Sequence, residues 1–535
     1  MRVMSIRRFF VVIAITIVVL ALCVLLFGGT GTQQPSGDER IYTVADSTGD
    51  WGFPSPFGMY SRGPGYVRMS FIFDTLIWRD RHGFTGAVAE DWEFDGDEEA
   101  YVFRLRRGVR WHDGEKLDAQ DVVFTFDYLT RHRWSWADLD VIGEAEAVDD
   151  LTVRIELDSP YAPFLAKIAA AVPILPEHIW ADVEDPDEFR EREALVGSGP
   201  FELVDYSRSH GSYEYRANED YYAGRPVVDR LRFEKYTEEM TPTALRQGEI
   251  NAGSVPAELV DDLDEQGLAV LNEPPSWAAK MLMNHDRGPL SDVRVRRALA
   301  RAVDKEEIVK IACRGHAIPG SPGLLPPSNQ KWHNPAVKGY DHDPDRCREL
   351  LEKAGYEQED GRFTGRDGRN LEFELLVTPG RHDFGRVAEL LQRQLREAGI
   401  TIRLRSVEAK SLDAAVGKGD FQLALTGHGG LGGDPEILTR MVVGESFHSA
   451  NYRDNQSLVD LLQRQLRATD EQERKELVKR AQDLYARDLP AITLYHPEWY
   501  WAHDGGVDLF YTPGGIGGGI PIPLNKLCFV EGTEG

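Results

Sequence analysis

A ten-residue stretch, TGHGGLGGDP at 426–435, concentrates residues that could bind a ligand. It holds five glycines, the imidazole of His428 and the carboxylate of Asp434, and it follows the apolar run 421–425. Imidazole binds metals and titrates near neutral pH, and a carboxylate pairs with cations. Glycines allow a backbone to approach a ligand closely. The stretch therefore suits a phosphate cradle, a metal contact or a loop against another solute.

A phosphate-binding loop is not expected here. Such a loop has the pattern GxxxxGK[ST], whose lysine reaches the phosphates, and the decapeptide has no lysine. One histidine and one aspartate are two ligands short of a closed metal site. Contact between His428 and an already chelated metal stays open, as does a loop whose glycines serve only turn geometry.

Catalytic signatures are missing elsewhere in the sequence. It contains no G-x-S-x-G, no H-E-x-x-H and no cysteine with a plausible base. Surplus carboxylates are expected on the surface of an acidic protein, so no catalytic pair can be chosen among them. The sequence predicts a protein that is not an enzyme and uses no cofactor.

Hydrophobic patterning indicates the elements that position the decapeptide. Residues 101–105 alternate as a strand, and Asp118 is placed to cap a helix with an apolar face of Val122, Phe126 and Leu129. Ser291 is predicted to cap a further helix.

A helix is also predicted around 387–398 and ends at Gly399. Strands follow at 400–404 and 421–425. This is α/β architecture, in which ligands bind beyond the carboxyl ends of the strands, where the decapeptide begins.

Size and charge restrict the class of protein further. A chain of 535 residues is too long for one core and predicts two or three domains. The full chain carries 61 basic and 88 acidic residues, a formal net charge of −27. This balance excludes nucleic acid as a natural partner.

The first 27 residues are predicted to target the membrane. Residues 9–27 contain no charge and follow three arginines, which suits a membrane anchor with a cytoplasmic N-terminus. Cleavage as a signal peptide near Gly31 stays open, as does lipid attachment at Cys23, against which the bulky neighbours argue. Residues 28–40 are a flexible tether, so the folded body is extracytoplasmic.

Three cysteines lie beyond this region, Cys313, Cys347 and Cys528, and none has a CxxC spacing. A zinc cluster is therefore not expected, and at most one intrachain disulfide can form. Whether Cys313 and Cys347 pair stays open.

Eight stretches, in order along the chain, resemble the family 5 solute-binding proteins of ABC importers. The matching stretches are FIFDTLIWRD (71–80), FRLRRGVRWHDGEKLDAQDVVFTFDYL (103–129), VGSGPFELVDY (196–206), ANEDYYAGRPVVDRLRF (217–233), ALRQGEIN (244–251), MNHDRGPLSDVRVRRALARAVDKEEIV (283–309), LLEKAGY (350–356) and LPAITLYHPEWY (489–500).

The resemblance implies an α/β fold of the two-lobed periplasmic-binding-protein clamshell type, similar to type II, with an extra subdomain in lobe one. The expected ranges are a membrane segment at 1–27, a tether at 28–40, lobe one at 41–280 with a subdomain at about 66–180, lobe two at 281–497 and a C-terminal return to lobe one at 498–535. Hinges are expected near 280–284 and 492–497.

The function implied by the resemblance is capture of peptides or peptide-like solutes by hinge closure, with delivery to an ABC permease and its ATPase. An alternative within the family is binding of a nickel or other metal-chelate complex. A sensor subunit without transport shares the same fold. The implied location is the extracytoplasmic side of the cell membrane, with attachment through residues 9–27.

The ligand loop departs from the family pattern. Dipeptide-type members resemble WTGD…DP, with an aspartate for the peptide ammonium, whereas this chain has Leu425 in the tryptophan position and His428 near the aspartate position. Sliding the alignment gives the amine role to Asp434 instead. Arg381 lies where dipeptide-type members carry an arginine for the ligand carboxylate. The remaining expected cleft residues are Gly427, Trp51, Phe57, Tyr60, Trp277 and Trp499.

Overall fold

The computed structural model describes residues 39–47, 49–378, 383–443, 452 and 455–531. The membrane segment at 1–27 and most of the tether at 28–40 lie outside this part of the chain, and so does Arg381. Within the described ranges, no helix combines the length and apolar character needed to cross a bilayer.

The strands and helices alternate along the chain. Up to residue 272 the strands are β1 (Ile41–Asp46), β2 (Ile77–Arg79), β3 (Phe84–Gly86), β4 (Ala89–Asp95), β5 (Ala100–Leu105), β6 (Ile142–Asp149), β7 (Thr152–Leu157), β8 (Phe201–Ser207), β9 (Ser212–Ala217), β10 (Arg230–Lys235), β11 (Ala252–Val255) and β12 (Ala269–Asn272). The later strands are β13 (Ala278–Met283), β14 (Ala317–Pro319), β15 (Glu357–Glu359), β16 (Arg362–Thr364), β17 (Glu372–Val377), β18 (Thr401–Ser406), β19 (Leu423–His428), β20 (Ala491–Pro497) and β21 (Tyr500–His503). The α-helices are α1 (Gly63–Ser70), α2 (Ala119–Arg131), α3 (Glu177–Trp180), α4 (Thr241–Gln247), α5 (Val260–Glu265), α6 (Val293–Ala302), α7 (Lys305–Ile311), α8 (Pro344–Ala354), α9 (Phe384–Glu397), α10 (Ala409–Gly417), α11 (Glu436–Val442), α12 (Gln456–Arg467) and α13 (Glu471–Asp488). Short 3-10 or π turns lie at Leu165–Ala169, Arg192–Leu195, Ala257–Leu259, Gly288–Ser291 and Lys526–Phe529.

Lobe one is built on a seven-stranded sheet in the order β12-β21-β11-β1-β10-β9-β8. β1 lies between β11 and β10 and runs parallel to both. Its four central residues are buried, and burying a large aliphatic side chain such as that of Val44 contributes roughly 1.5–3 kcal/mol. β21 comes from near the end of the chain, so the C-terminal region returns to this sheet.

A separate antiparallel sheet, β4-β5-β7-β6, lies between β1 and β8 in the sequence. β5 confirms the strand predicted at 101–105. The helix predicted after it is also confirmed as α2, where Asp118 and Asp121 form a reciprocal capping box.

Lobe two is built on a six-stranded sheet in the order β14-β20-β13-β19-β17-β18. β17, β18 and β19 are parallel neighbours, and β13 and β20 occupy the centre next to them. All six residues of β13 are buried. The two lobes have separate hydrophobic cores, so the predicted two-lobed α/β fold is confirmed.

The expected hinge positions at 280–284 and 492–497 need correction, because they fall almost wholly within β13 and β20. Strand pairing fixes the backbone there. The connections between the two large sheets are residues 273–277 and 498–499.

The predicted cap of α6 also shifts by one residue. Asp292 caps the helix and accepts a hydrogen bond from the backbone N–H of Arg294. Ser291 instead ends a short 3-10 turn and donates to the carbonyl of Gly288. An aspartate directly before the helix is as good a cap as serine.

Candidate functional site

Three parallel strands of lobe two end at one edge of its sheet. α9 follows β17 and α10 follows β18, so both helices begin at that edge. The decapeptide begins within β19, to which its first three residues belong, and its other seven residues follow the strand. In open α/β sheets this edge is where ligands bind.

A cavity lies at this edge between the two lobes. Its volume is about 10 Å³, close to the minimum that one ordered water molecule needs. Arg62 contributes from lobe one. The lobe-two lining residues are Thr378, Phe384, Ala409, Leu412, Asp413, Leu425, Thr426, Gly427 and His428.

Two predicted ligand residues, Gly427 and His428, line this cavity. His428 is 7% exposed at the end of β19. Thr426, two residues earlier, is also buried, and its hydroxyl has no hydrogen-bond partner in the described part of the chain. Buried polar groups usually have partners, so the Thr426 hydroxyl is a candidate for contact with a ligand.

Trp277 lies against Gly427. A β-carbon placed on Gly427 would be 1.8 Å from Cζ2 and Cη2 of the indole ring. Trp277 also lies near Trp499, with ring centroids 5.5 Å apart, and near Phe384, at 6.1 Å. The predicted aromatic residues Trp277 and Trp499 therefore form one cluster beside the cavity, where the chain passes between the lobes.

Asp434 is held by another residue of the protein. Its two carboxylate oxygens accept hydrogen bonds of 2.6 and 2.9 Å from the guanidinium of Arg474. One oxygen also accepts from the backbone N–H of Glu436 at 2.8 Å. Both side chains are nearly buried, with 11% and 6% exposure. A solute ammonium at Asp434 would have to compete with this bidentate pair.

The lobe-one residues Trp51 and Tyr60 lie beside the carboxylate of Asp50, which accepts several hydrogen bonds. The backbone N–H of Trp51 donates to the hydroxyl of Tyr213 at 2.7 Å. The hydroxyl of Tyr60 donates to the carboxylate of Asp50 at 3.1 Å. Burial alone would raise the pKa of Asp50, but hydrogen bonds from Tyr206, the Gly52 N–H and Tyr60 leave it below its usual value. This network fixes the segment that faces lobe two.

Two contacts join that segment to α10 across the lobes. Arg62 forms an ion pair with Asp413. One turn earlier on the helix, the Lys410 ammonium lies 5.5 Å from the centroid of the Tyr60 ring, within the range of a cation–π contact. Sequence reasoning missed Arg62, Lys410 and Asp413, because nothing in their local sequence marks them.

A second glycine-rich stretch, residues 514–519, was also missed. A β-carbon on Gly433 would lie 2.7 Å from the carbonyl oxygen of Gly514, and one on Gly519 would lie 3.1 Å from Cα of Gly430. The two glycine-rich backbones therefore meet where side chains do not fit. The sequence GGIGGG at 514–519 is as rich in glycine as the decapeptide, and this composition could have indicated a second closely packed backbone segment.

Lys167 of lobe one contacts both glycine-rich regions, through Gly518 in one and through Glu436 directly after the other. Its ammonium donates to the carbonyl of Gly518 at 2.7 Å and lies 2.9 Å from the carboxylate of Glu436. Burial by itself would raise the pKa of Glu436, but Lys167 and Arg440 lower it to about 2. The carboxylate therefore stays charged at physiological pH.

The side chains of the described ranges include candidate metal ligands and three cysteines. Within them, no group of three or more His, Cys, Asp or Glu side chains could hold a metal ion. Cys313, Cys347 and Cys528 are free thiols. Burial raises the pKa of each of these three thiols to about 12, so they stay protonated.

Two lobes joined by short connections, with a cavity where they meet at the carboxyl edge of a sheet, are typical of a clamshell binding protein. The chain belongs to the bacterial extracellular solute-binding proteins, family 5 Middle, which it matches over residues 83–450. That family binds solutes.

Among its relatives is a dipeptide-binding protein of Escherichia coli (strain K12), 28% identical over 489 residues that cover 83% of this chain and 88% of the relative. Two solved structures share the fold. NikZ from Campylobacter jejuni in complex with Ni(L-His) has a TM-score of 0.75 at 24% identity, covering 90% of this chain and 98% of its own. A dipeptide-binding protein from Pseudoalteromonas sp. SM9913 in complex with Met-Leu has a TM-score of 0.77 at 21% identity, covering 91% and 99%.

Proposed function

We propose that this protein is the extracytoplasmic binding component of an ABC-type importer and captures peptides or peptide-like solutes between its lobes. The observation that carries the proposal is the cavity at the carboxyl edge of the lobe-two sheet, covered by Arg62 of lobe one, in a member of family 5. The dipeptide-binding relative supports peptide as the solute class.

Capture requires the lobes to separate and close. We propose that the seven-stranded sheet, with residues 41–272 and 500–503, moves against the six-stranded sheet at 278–497 by hinge motion at 273–277 and 498–499. The nearly filled cavity then corresponds to a closed form. A membrane permease would receive the solute, and an ATPase would drive import.

The solute contacts in this proposal come from both lobes. Gly427 and His428 face it from β19, Trp277 and Trp499 from the connections, and Trp51 and Tyr60 from lobe one. Arg381 keeps its proposed contact with a solute carboxylate. Asp434 changes role and holds the end of the decapeptide through Arg474 rather than contacting the solute.

Binding of a metal chelate is the second candidate function, and the position of His428 favours it. The imidazole lines the cavity, and the structural neighbour NikZ was solved with Ni(L-His). A peptide binder should ignore nickel with free histidine, whereas a chelate binder should require both.

The test is the thermal stability of the folded body, started near Asp38, in the presence of defined solutes. Di-, tri- and pentapeptides should add RT ln(1 + [L]/Kd) to the free energy of unfolding and so raise the melting temperature. One peptide should be recovered unaltered per protein. Nickel with histidine is the comparison solute. Stabilisation by nickel–histidine alone, or recovery of a cleaved peptide, would contradict peptide capture.

We also propose that residues 9–27 attach the protein to the membrane, with the tether at 28–40 between membrane and body. N-terminal sequencing of the protein from membrane fractions tests this. An intact N-terminus supports an anchor, whereas a start near Thr32 shows cleavage and a lipid on Cys23 shows a lipoprotein.

A further inference from the structure

Lys167 is fixed to lobe one by its neighbours. It lies in the π turn Leu165–Ala169, whose residues Ile168 and Ala169 belong to the lobe-one core. Its ammonium donates to the carbonyl of Gly518 at 2.7 Å, in the C-terminal return to the same lobe. The position of the ammonium is therefore set within lobe one.

Glu436 is fixed to lobe two in a similar way. It is the first residue of α11, and Ile437, Leu438 and Met441 of that helix are buried in a lobe-two cluster. The Nε of Arg440, one turn later, lies 3.5 Å from its carboxylate. The carboxylate of Glu436 therefore moves with lobe two whenever the lobes move.

These two charges meet across the boundary between the lobes. Nζ of Lys167 lies 2.9 Å from Oε2 of Glu436, and the side chains are 5% and 12% exposed. A backbone hydrogen bond of 2.7 Å crosses the same boundary, from the N–H of Ala162 to the carbonyl of Leu466 in α12. Leu466 also packs against the lobe-one core. The lobe-one segment 162–167 is thus joined to two helices of lobe two by protein groups alone.

Burial distinguishes this ion pair from another interlobe pair. Glu258, in the 3-10 turn Ala257–Leu259 of lobe one, pairs with Arg314 of lobe two, and these side chains are 41% and 61% exposed. Water competes for both charges of such an exposed pair, so the pair contributes little. Between Lys167 and Glu436 little water competes, and the attraction is correspondingly stronger, although both charges have lost their hydration.

Loss of one charge from a buried pair has a different effect from loss of both. When one partner is removed, the other is left in a dry environment without its ionic partner, which is strongly unfavourable. Separation of the lobes would relieve this penalty, because the remaining charge would then reach water. Removal of both charges leaves no such penalty in the closed arrangement.

We propose that the Lys167–Glu436 pair is a latch that holds the two lobes in the closed arrangement without solute. The inference rests on the hinge motion of the proposed function and adds to it a closing force that comes from protein groups alone. A solute enters after the latch has opened, so the latch limits the rate of association. It slows dissociation as well, because the solute leaves by the same route.

The test measures the distance between the lobes in the full-length protein in detergent, without solute. Spin labels are attached at Glu219→Cys in lobe one and Asp345→Cys in lobe two, at side chains that are 73% and 88% exposed. Cys23→Ser removes one native thiol, and the other three stay protonated and react poorly. Pulsed electron spin resonance then gives the populations of the closed and open distances.

The latch is altered by two single variants and their combination. Lys167→Met and Glu436→Gln each remove one charge with little change in size. Each should lower the ratio of closed to open protein by at least about tenfold, and the double variant should recover most of that loss. The matched control is Glu258→Gln, which breaks the exposed interlobe pair and should change the ratio by less than about fivefold. Melting temperatures confirm that each variant is folded.

Dialanine, trialanine and pentaalanine are then added to separate this inference from the proposed function. If the distance stays the same in every variant and with every peptide, the lobes do not move, and both the hinge and the latch are wrong. If a peptide changes the distance but the single variants match the wild type without peptide, only the latch is wrong.

Two further outcomes concern the charges themselves. If the double variant is as open as the single variants, the contact acts through packing, and an ion-pair latch is contradicted. If the single variants open and the double variant closes, whereas no peptide alters the distance, the latch is supported and peptide capture is not.

Discussion

The indole ring of Trp277 lies directly over Gly427, so that the glycine has no room for a side chain. Trp277 leads from the first interlobe connection into β13, and Gly427 lies opposite Ala279 in the neighbouring strand. Trp277 as a whole residue is 6% exposed. This contact joins the first interlobe connection to the strand that carries His428.

Gly427→Ala should therefore destabilise lobe two. The new methyl group would have to displace the Trp277 ring, and overpacking of this kind costs about 1–3 kcal/mol. Urea denaturation measures the loss. Gly429→Ala is the matched control, because a β-carbon there would lie 3.4 Å from the same ring, an ordinary contact. Equal stability of the two variants would show that the ring moves freely.

Removing the charge of Asp434 should affect stability more than solute affinity. Asp434→Asn leaves Arg474 buried without its ionic partner, which costs about 3–5 kcal/mol for a buried pair. Asp508→Asn breaks the exposed pair with Arg81 and serves as the control. Denaturant unfolding and peptide titration are compared for both. Weaker peptide binding by Asp434→Asn with unchanged stability would return Asp434 to the solute site.

Glu273 should make the protein less stable as the pH rises. Burial in the first interlobe connection raises the pKa of Glu273 to about 8, even though Ser276 donates a hydrogen bond of 2.7 Å to it. An unfolded glutamate has a pKa of about 4.3. Between these values the folded state binds the extra proton, so this contribution to the free energy of unfolding decreases from about pH 4.3 to pH 8.

The measurement is denaturant unfolding of wild type and Glu273→Gln from pH 5 to pH 8. The variant, which cannot ionise, should gain stability over the wild type as the pH increases. Glu265→Gln, at an exposed position in α5, should follow the wild type. A constant difference between Glu273→Gln and wild type would contradict a buried protonated Glu273.

His496 should act in the opposite direction. The backbone N–H of Ser321 donates to its Nε2 at 3.1 Å, so Nδ1 carries the hydrogen that is donated to the carbonyl of Trp277 at 2.9 Å. Burial lowers the pKa of this ring to about 4, against about 6.5 when unfolded. The unfolded state binds more protons between these values, so stability is lost as the pH falls from about 6.5 to 4.

His496→Gln should flatten this acid-side loss. Its free energy of unfolding is compared with that of wild type and of His82→Gln, which alters an exposed histidine, at several points from pH 4 to pH 7. If all three proteins lose stability in parallel, His496 is not the group that titrates.

The elements that could be predicted depend on neighbours in the sequence. The capping box of Asp118 and Asp121 spans three residues, and the apolar face of α9 repeats within each turn. The position of the decapeptide after a buried strand is likewise local. Such short-range patterns, together with eight family-like stretches, were enough for the two-lobed α/β fold.

Tertiary structure decided the chemistry of the site. The partner of Asp434 is Arg474, forty residues away in α13, and the partner of Asp413 is Arg62, on the other lobe. A carboxylate in the sequence shows no sign of which cation will meet it, because that depends on how separate helices and lobes are placed. The same placement puts the connections between the two large sheets at 273–277 and 498–499, outside β13 and β20. Local sequence thus determined the elements and the fold, whereas long-range packing determined which charges are paired within the protein.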